Sequence, residues 1–325
     1  MLNLLLLLLG LALLVAGGEF LVRGASTLAA RLGVAPVIVG MTVVAFGTST
    51  PELVVNLAAA LRGDSAIGFG NVVGSNIANV GLLLGIVALT YPLVIHRSIV
   101  TREIPMMLLA SVAAIILAFD GLTDGGADTF ARSDGLILLL FFCVFLYYTL
   151  SEALRQRETD IFVTELVATT ERPNQPPVPR WRIASLVVGG LLLLIAGGEL
   201  TFRGAVGFAQ ALGISEVIIG LTIVAVGTSL PELATSFVAA RRGQTDMAVG
   251  NIVGSNIFNL LFIWGLTVMI TPTAMPAGGR VDLLVMTAFA VVLLPMALTQ
   301  QRLSRLEGGV LALGYCAYIG WLAMR

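Results

Sequence analysis

The sequence predicts an all-α integral membrane protein of ten transmembrane helices, built as two inverted-topology five-helix repeats. Three observations carry that expectation: extreme apolarity, ten apolar stretches of spanning length, and a duplication offset by 180 residues. Of 325 residues, 58% are hydrophobic and only 11% are charged, with a mean hydropathy of +0.99. Soluble domains carry about 25% charged residues, so a water-soluble enzyme or binding module is excluded. The net charge of −1 implies no polyanionic partner such as nucleic acid.

The apolar stretches run near 2–30, 34–60, 66–95, 103–119 and 134–151, then 182–210, 214–240, 246–271, 281–299 and 306–324. About 20 apolar residues cross a bilayer, so each is a candidate span. The first, "MLNLLLLLLGLALLVAGG", lacks the basic n-region and small-residue cleavage site of a signal peptide and reads as a retained helix. The second is interrupted by "AFGTSTPEL", which places a glycine, a proline and Glu52 in mid-span. The third carries "GNVVGSNIANV". Between the halves, 152–181 is charged and ends in a proline cluster, so it reads as a linker. The expected organisation is a first repeat at 1–151, a cytoplasmic linker at 152–181 and a second repeat at 182–325.

Arginine orients the bundle. With both termini outside, the inner loops hold Arg31, Arg97, Arg102, Arg155, Arg157, Arg172, Arg180, Arg182, Arg241, Arg242, Arg302 and Arg305. The outer side keeps Arg62, Arg132, Arg280 and Arg325. Twelve against four obeys the positive-inside rule for a protein of the plasma (inner) membrane. The outer loop with Asp120, Asp124, Asp128 and Asp134 reads as solvated, and His96 beside Arg97 as interfacial. Cys143 and Cys316, both in apolar runs, read as buried inert thiols. Glu19 and Glu199 each precede an arginine by four residues, Arg23 and Arg203, and read as helix-surface ion pairs.

The repeat is explicit. Between 17–85 and 197–265, 34 of 69 positions are identical without a gap. A unit of five spans is odd, so the second copy enters the membrane inverted, an arrangement characteristic of secondary transporters. Pro51 has no N–H for the carbonyl of Gly47, and Pro231 has none for Gly227, so both turns are loosened. Thr48, Glu52 and Asn56 recur four apart, as do Thr228, Glu232 and Ser236. Asn71, Ser75 and Asn79 do the same, matched by Asn251, Ser255 and Asn259. Glycine, serine and asparagine in such helices often serve only packing. A duplicated mid-span carboxylate instead marks an ion pathway. Oxygen ligands without Cys or His select hard cations over zinc, copper or iron. Calcium accepts 6–8 oxygens, and sodium can use the same groups. No histidine lies near the site to form a nucleophile–base pair, which argues against an enzyme.

The paired "GTS(T/L)PEL" and "GN(V/I)VGSNI(A/F)N" segments resemble the α-repeats of the cation/calcium antiporter superfamily, in particular sodium/calcium exchangers of the prokaryotic type. That resemblance implies a secondary active antiporter exchanging Ca²⁺ for Na⁺, without a cofactor or an obligatory protein partner. It further implies four ion sites clustered around Glu52 and Glu232. Thr48, Thr228, Ser49, Ser229, Ser75, Ser255, Asn79, Asn259 and the carbonyls of Ala45 and Ala225 would complete them. The first and sixth helices are implied to slide across the core. Where such exchangers often carry Asp, this chain has Asn259, and two carboxylates balance one Ca²⁺ or two Na⁺. Coupling to H⁺, or a K⁺ requirement, stays open beside Na⁺ coupling. The linker is too short for the regulatory calcium-binding domains of animal exchangers.

The arginine count makes a direct prediction. A cysteine engineered into 152–181 should react with an impermeant maleimide only in permeabilised cells; labelling in intact cells would reverse the orientation.

Overall fold

The computed structural model describes residues 2–119, 128–167, 178–212, 225–299 and 301–324. Helix α1 is Leu2–Leu32, and α2 (Pro36–Thr48) and α3 (Thr50–Arg62) form one span bent by 45°. Next come α4 (Ala66–Thr90), α5 (Ile99–Ala118) and α6 (Arg132–Gln156, whose helix continues to Val167). The second half holds α7 (Arg180–Ala211), α8 (Leu230–Arg241), α9 (Thr245–Ile270), α10 (Gly279–Leu298) and α11 (Arg305–Met324). Among the described residues, eight helices are long and apolar enough to span, and the bent pair makes nine. The remaining expected span, 214–240, is described only from Ala225, because 213–224 lie outside the described residues.

Helix α6 enters the segment expected as a linker without a break, since "EALRQRE" consists of good helix formers. Residues 168–177, with most of the proline cluster, lie outside the described residues.

Repeat-related helices α1 and α7 pack antiparallel along their length. Gly10 and Gly17 of α1 face Gly197 and Gly190 of α7, and Gly24 and Gly204, each seven residues further along its helix, lie against Val187 and Leu7. A Cβ on Gly17 would sit 2.8 Å from the Gly190 carbonyl, and one on Gly190 would sit 2.9 Å from the Gly17 carbonyl. Gly10 and Gly197 are related in the same reciprocal way. Lipid removes the hydrophobic drive for association, so such close backbone approach supplies the attraction through dispersion.

Short ladders sort the loops onto two faces. Strand β1 (Leu93–Val94) pairs antiparallel with β4 (Arg302–Leu303), and β2 (Thr129–Phe130) with β3 (Thr273–Ala274). On the first face, Gln156 also caps the N–H of Ala35, and Arg31 reaches the carbonyl of Val178. On the second, Thr271 donates to the carbonyl of Ala60. The loops that alternation assigns to one side are thus joined to one another.

Leucines and valines such as Leu5, Leu8, Val54, Leu136 and Leu140 are exposed, while asparagine, serine and glutamate are buried at the centre. Cys143 and Cys316 correct the expectation of buried thiols. Both are exposed on the bundle surface, because an apolar run reports contact with lipid as readily as contact with protein.

The glycine stripe predicts asymmetric tolerance. Gly17→Leu or Gly197→Leu should destabilise the detergent-solubilised protein by about 1–3 kcal/mol, through forced separation of α1 and α7. Gly189→Leu, where nothing lies within 4 Å of a new Cβ, should melt like wild type in the same thermal scan.

Candidate functional site

The site begins with two broken helices. Ser49 (φ −82°, ψ 9°) leaves helical geometry between α2 and α3, and Ser229 (φ −87°, ψ 6°) does so between the turn Ala225–Gly227 and α8. Pro51 and Pro231 then occupy the first turns of α3 and α8, where a missing N–H leaves no helical bond unmade. Glu52 and Glu232 sit in those same first turns. Free N–H groups and the positive end of the helix dipole face a carboxylate there. Both glutamates are 0% exposed. Gly47 and Gly227 allow α7 to lie against the breaks, since a Cβ would meet Leu191 at 2.5 Å or Phe202 at 2.7 Å.

The two repeats complete each other. Ser49 Oγ donates to Glu232 Oε1 at 3.0 Å, and Ser229 Oγ donates to Glu52 Oε1 at 3.5 Å. Thr48 Oγ1 donates to Asn251 Oδ1 at 3.2 Å, and Thr228 Oγ1 to Asn71 Oδ1 at 3.4 Å. Ser75 Oγ lies 3.4 Å from Thr228 Oγ1, and Ser255 lies beside Glu232. Behind them, Asn71 Nδ2 donates to the Glu52 carbonyl and to Asn56 Oδ1, at 3.3 and 2.6 Å. Asn251 Nδ2 donates to the Glu232 carbonyl and to Ser236 Oγ, at 3.4 and 3.0 Å. The i+4 faces read from the sequence are therefore real and meet across the repeats.

Several buried oxygens have no protein partner: Glu52 Oε2, Glu232 Oε2, Asn79 Oδ1 and Ser255 Oγ, with both polar atoms of Asn259. None of the ion pairs among the described residues involves Glu52 or Glu232. Buried carboxylates without a counter-charge are costly, and surrounding hydroxyl, amide and carbonyl oxygens suit a hard cation. The Ala45 carbonyl accepts from Ser49 N–H at 3.0 Å and has Thr48 Oγ1 3.3 Å away. The side chain of Ala225 is outside the described residues.

Sequence reading missed Asn76 and Asn256. They clasp each other where α4 and α9 cross, with each Nδ2 on the other's carbonyl at 3.2 and 3.3 Å. They follow Ser75 and Ser255 by one residue, off the face that i+4 spacing picks out. Their signal was duplication of "GSN". Local unwinding marks the same region, with π-helical turns at Asn79–Leu84 and Phe258–Trp264.

A cavity of about 760 Å³ reaches the site, bordered by Pro51, Asn71, Ser75, Thr228, Pro231 and Glu199 among others. Glu19 binds Arg23 at 2.9 Å, as expected, and also Arg241 at 3.3 Å and Arg242. Glu199 pairs with Arg203, as expected. His96 lies in an exposed loop, 2.8 Å from Ser98 Oγ.

Half-broken helices meeting around buried, uncompensated carboxylates define an ion-transporting membrane protein. The chain belongs to the sodium/calcium exchanger protein family, which matches residues 2–151 and 183–324. It is 37% identical to the putative antiporter CaxA of Alkalimonas amylolytica, over 96% of this chain and 95% of that one. It is 33% identical to the sodium/calcium exchanger MaX1 of Methanosarcina acetivorans, over 98% and 97%. The fold is similar to that of the sodium-calcium exchanger NCX_Mj, with a TM-score of 0.80, 30% identity and 98% of each chain covered. Membership places the chain among multi-pass cation/Ca²⁺ antiporters, a family of transporters and not of enzymes.

The uncompensated pair sets a stability prediction. Ca²⁺ at about 100 times its dissociation constant should stabilise the purified protein by about 2.7 kcal/mol in a thermal scan. Glu52→Gln or Glu232→Gln should abolish that shift while melting no lower than ion-free wild type, because a neutral amide lifts the buried-charge cost. An unchanged Ca²⁺ shift in both variants would remove the carboxylates from the site.

Proposed function

We propose that the chain is a secondary active antiporter that exchanges Ca²⁺ for Na⁺ by alternating access. Ions bind at the midplane between two inverted five-helix repeats, ten spans in all, in the plasma membrane. The observation that carries this reading is the cross-repeat pairing of Ser49 with Glu232 and Ser229 with Glu52 around carboxylates that have no protein cation among the described residues. Glu52 and Glu232 supply the charge. Thr48, Thr228, Ser49, Ser229, Ser75 and Ser255 supply hydroxyls, Ala45 and Ala225 carbonyls, and Asn79 and Asn259 amide oxygens. Two carboxylates are neutralised alternately by one Ca²⁺ or two Na⁺, which is the elementary requirement for exchange at a shared site. The names of MaX1 and NCX_Mj, sodium/calcium exchangers, support the choice of ions.

Antiparallel packing of α1 on α7 and the sorting of loops onto two faces support inverted repeats. The arginine distribution supports outer termini and a cytoplasmic 152–181 segment. On that orientation the cavity, which includes Ile67 at the start of α4, faces outward, and the Glu19–Arg242 contact closes the inner side.

A second reading, coupling to H⁺, is favoured by one observation. Asparagine at both 79 and 259 leaves two carboxylates, each able to take a proton. Proteoliposomes decide. Calcium uptake should follow an imposed sodium gradient and vanish in Glu52→Gln and Glu232→Gln. Uptake driven by a pH gradient in the absence of sodium would establish proton coupling, and near-normal flux in either variant would end the exchange mechanism.

Alternation makes a structural prediction through the 180-residue offset, which maps Glu19 onto Glu199 and Arg242 onto Arg62. Here Glu19 and Arg242 are joined, whereas Glu199 lines the open cavity and Arg62 is exposed at the end of α3. Exchange of the repeats' roles would part the first pair and join the second. In a chain with Cys143 and Cys316 replaced by Ser, Glu199→Cys and Arg62→Cys should cross-link and stop transport. Failure to cross-link under every ion gradient would refute this closure.

A further inference from the structure

The asparagines at the centre break the symmetry that their sequences share. Asn256 Nδ2 donates to the Asn76 carbonyl at 3.3 Å and to Met107 Sδ at 3.5 Å. A carbonyl and a thioether can only accept, so the orientation of the Asn256 amide is determined. Its Oδ1 therefore faces Asn79 and accepts from Asn79 Nδ2 at 2.9 Å. Turning the Asn79 amide over would set oxygen against oxygen. Asn79 Oδ1 is left buried without a protein partner, on the α4 face that also carries Asn71 and Ser75.

The repeat-related bond is missing. Asn76 Nδ2 is held by the Asn256 carbonyl at 3.2 Å, yet Asn76 Oδ1 accepts nothing. Asn259, the residue that would donate to it, has both polar atoms buried and unpartnered. One amide at the centre is clamped and its twin is not.

We propose that Asn256 is a positioning residue that commits Asn79 to presenting its amide oxygen, and not its nitrogen, to the transported cation, while Asn259 is left free to turn. The inference rests on the ion-site reading above. It assigns unequal tasks to two asparagines that occupy equal places in the repeats. Asn79 is a fixed oxygen ligand. Asn259 presents oxygen to a cation or turns its N–H groups away toward Asn76 Oδ1.

The test is a double-mutant cycle on equilibrium ⁴⁵Ca²⁺ binding to the full purified chain. Losing the hydrogen bond that orients a ligand should weaken apparent affinity by about 3- to 10-fold in Asn256→Ala. The same substitution should cost less than about twofold once Asn79→Ala is present, because the group it orients is gone. Asn76→Ala cuts the same inter-helix clasp and leaves Asn79 oriented, removing only an acceptor that Asn259 does not engage in this structure, so it should stay within about twofold of wild type. Equal losses from Asn256→Ala in both backgrounds, or an equal loss in Asn76→Ala, would show a purely structural role and overturn the proposal. Should Asn256→Ala not fold, the nearly isosteric Asn256→Asp decides. It keeps an oxygen for Asn79 to donate to and gives up the N–H groups, so affinity should be retained or raised. A loss of about threefold or more would again overturn it. Glu52→Gln, run in parallel, separates the two levels: wild-type binding there would remove the ion site itself. Lost binding there, with no epistasis between positions 256 and 79, would remove only this assignment.

Discussion

Two carboxylates buried at the centre of the bundle, with no arginine paired to them among the described residues, are the constraint around which the rest is arranged. An ionised carboxylate away from water costs several kcal/mol unless its lone pairs and charge are met. The chain meets the lone pairs and leaves the charge. Each helix breaks one turn before its glutamate, so Glu52 and Glu232 lie at fresh helix N-termini. A serine from each break then donates to the glutamate of the other repeat. Asn71 and Asn251 hold the backbone carbonyls of the same two residues. A protein cation in this place would satisfy the site permanently. Among the described residues there is none, so the protein leaves both charges unmet.

Around this nearly two-fold centre, the differences between the halves carry information. The halves share 34 of 69 positions between 17–85 and 197–265, yet they place those residues in unequal surroundings. Glu19 is engaged by three arginines, while Glu199 pairs among the described residues with Arg203 alone and borders the cavity. Asn79 is held by Asn256, while neither polar atom of Asn259 has a partner among the described residues. Between these contrasts lies the α1–α7 pair, whose glycine stripe brings backbone against backbone. The bent breaks beneath it lie against α7 through Gly47 and Gly227, where no side chain stands in the way.

Much of this was legible in the sequence. Apolarity, the 180-residue offset and the arginine bias are one-dimensional properties, and they suffice for the class, the repeat and the expected sidedness. The i+4 spacing of Thr48, Glu52 and Asn56, and of Asn71, Ser75 and Asn79, reports which side chains share a helix face, because helical period is local. Those faces do meet. The cross-repeat partners could not be read in the same way, since Ser49 and Glu232 are 183 residues apart and no local rule joins them. The same limit explains Cys143 and Cys316: hydropathy identifies a span but not which side of it faces lipid.

What the sequence by itself determined was the set of oxygen-bearing side chains at the centre and their duplication, because composition and helical periodicity are written in the order of residues. What only the tertiary structure decided was how identical residues come to differ. Asn76 and Asn256 stand one position away from the recognised faces, and their roles depend on how α4 crosses α9. Asn256 finds Met107 of α5 beside it, which orients its amide and through it Asn79. The physical reason is that an amide has two nearly equivalent orientations, and the choice between them belongs to neighbours that only folding brings together.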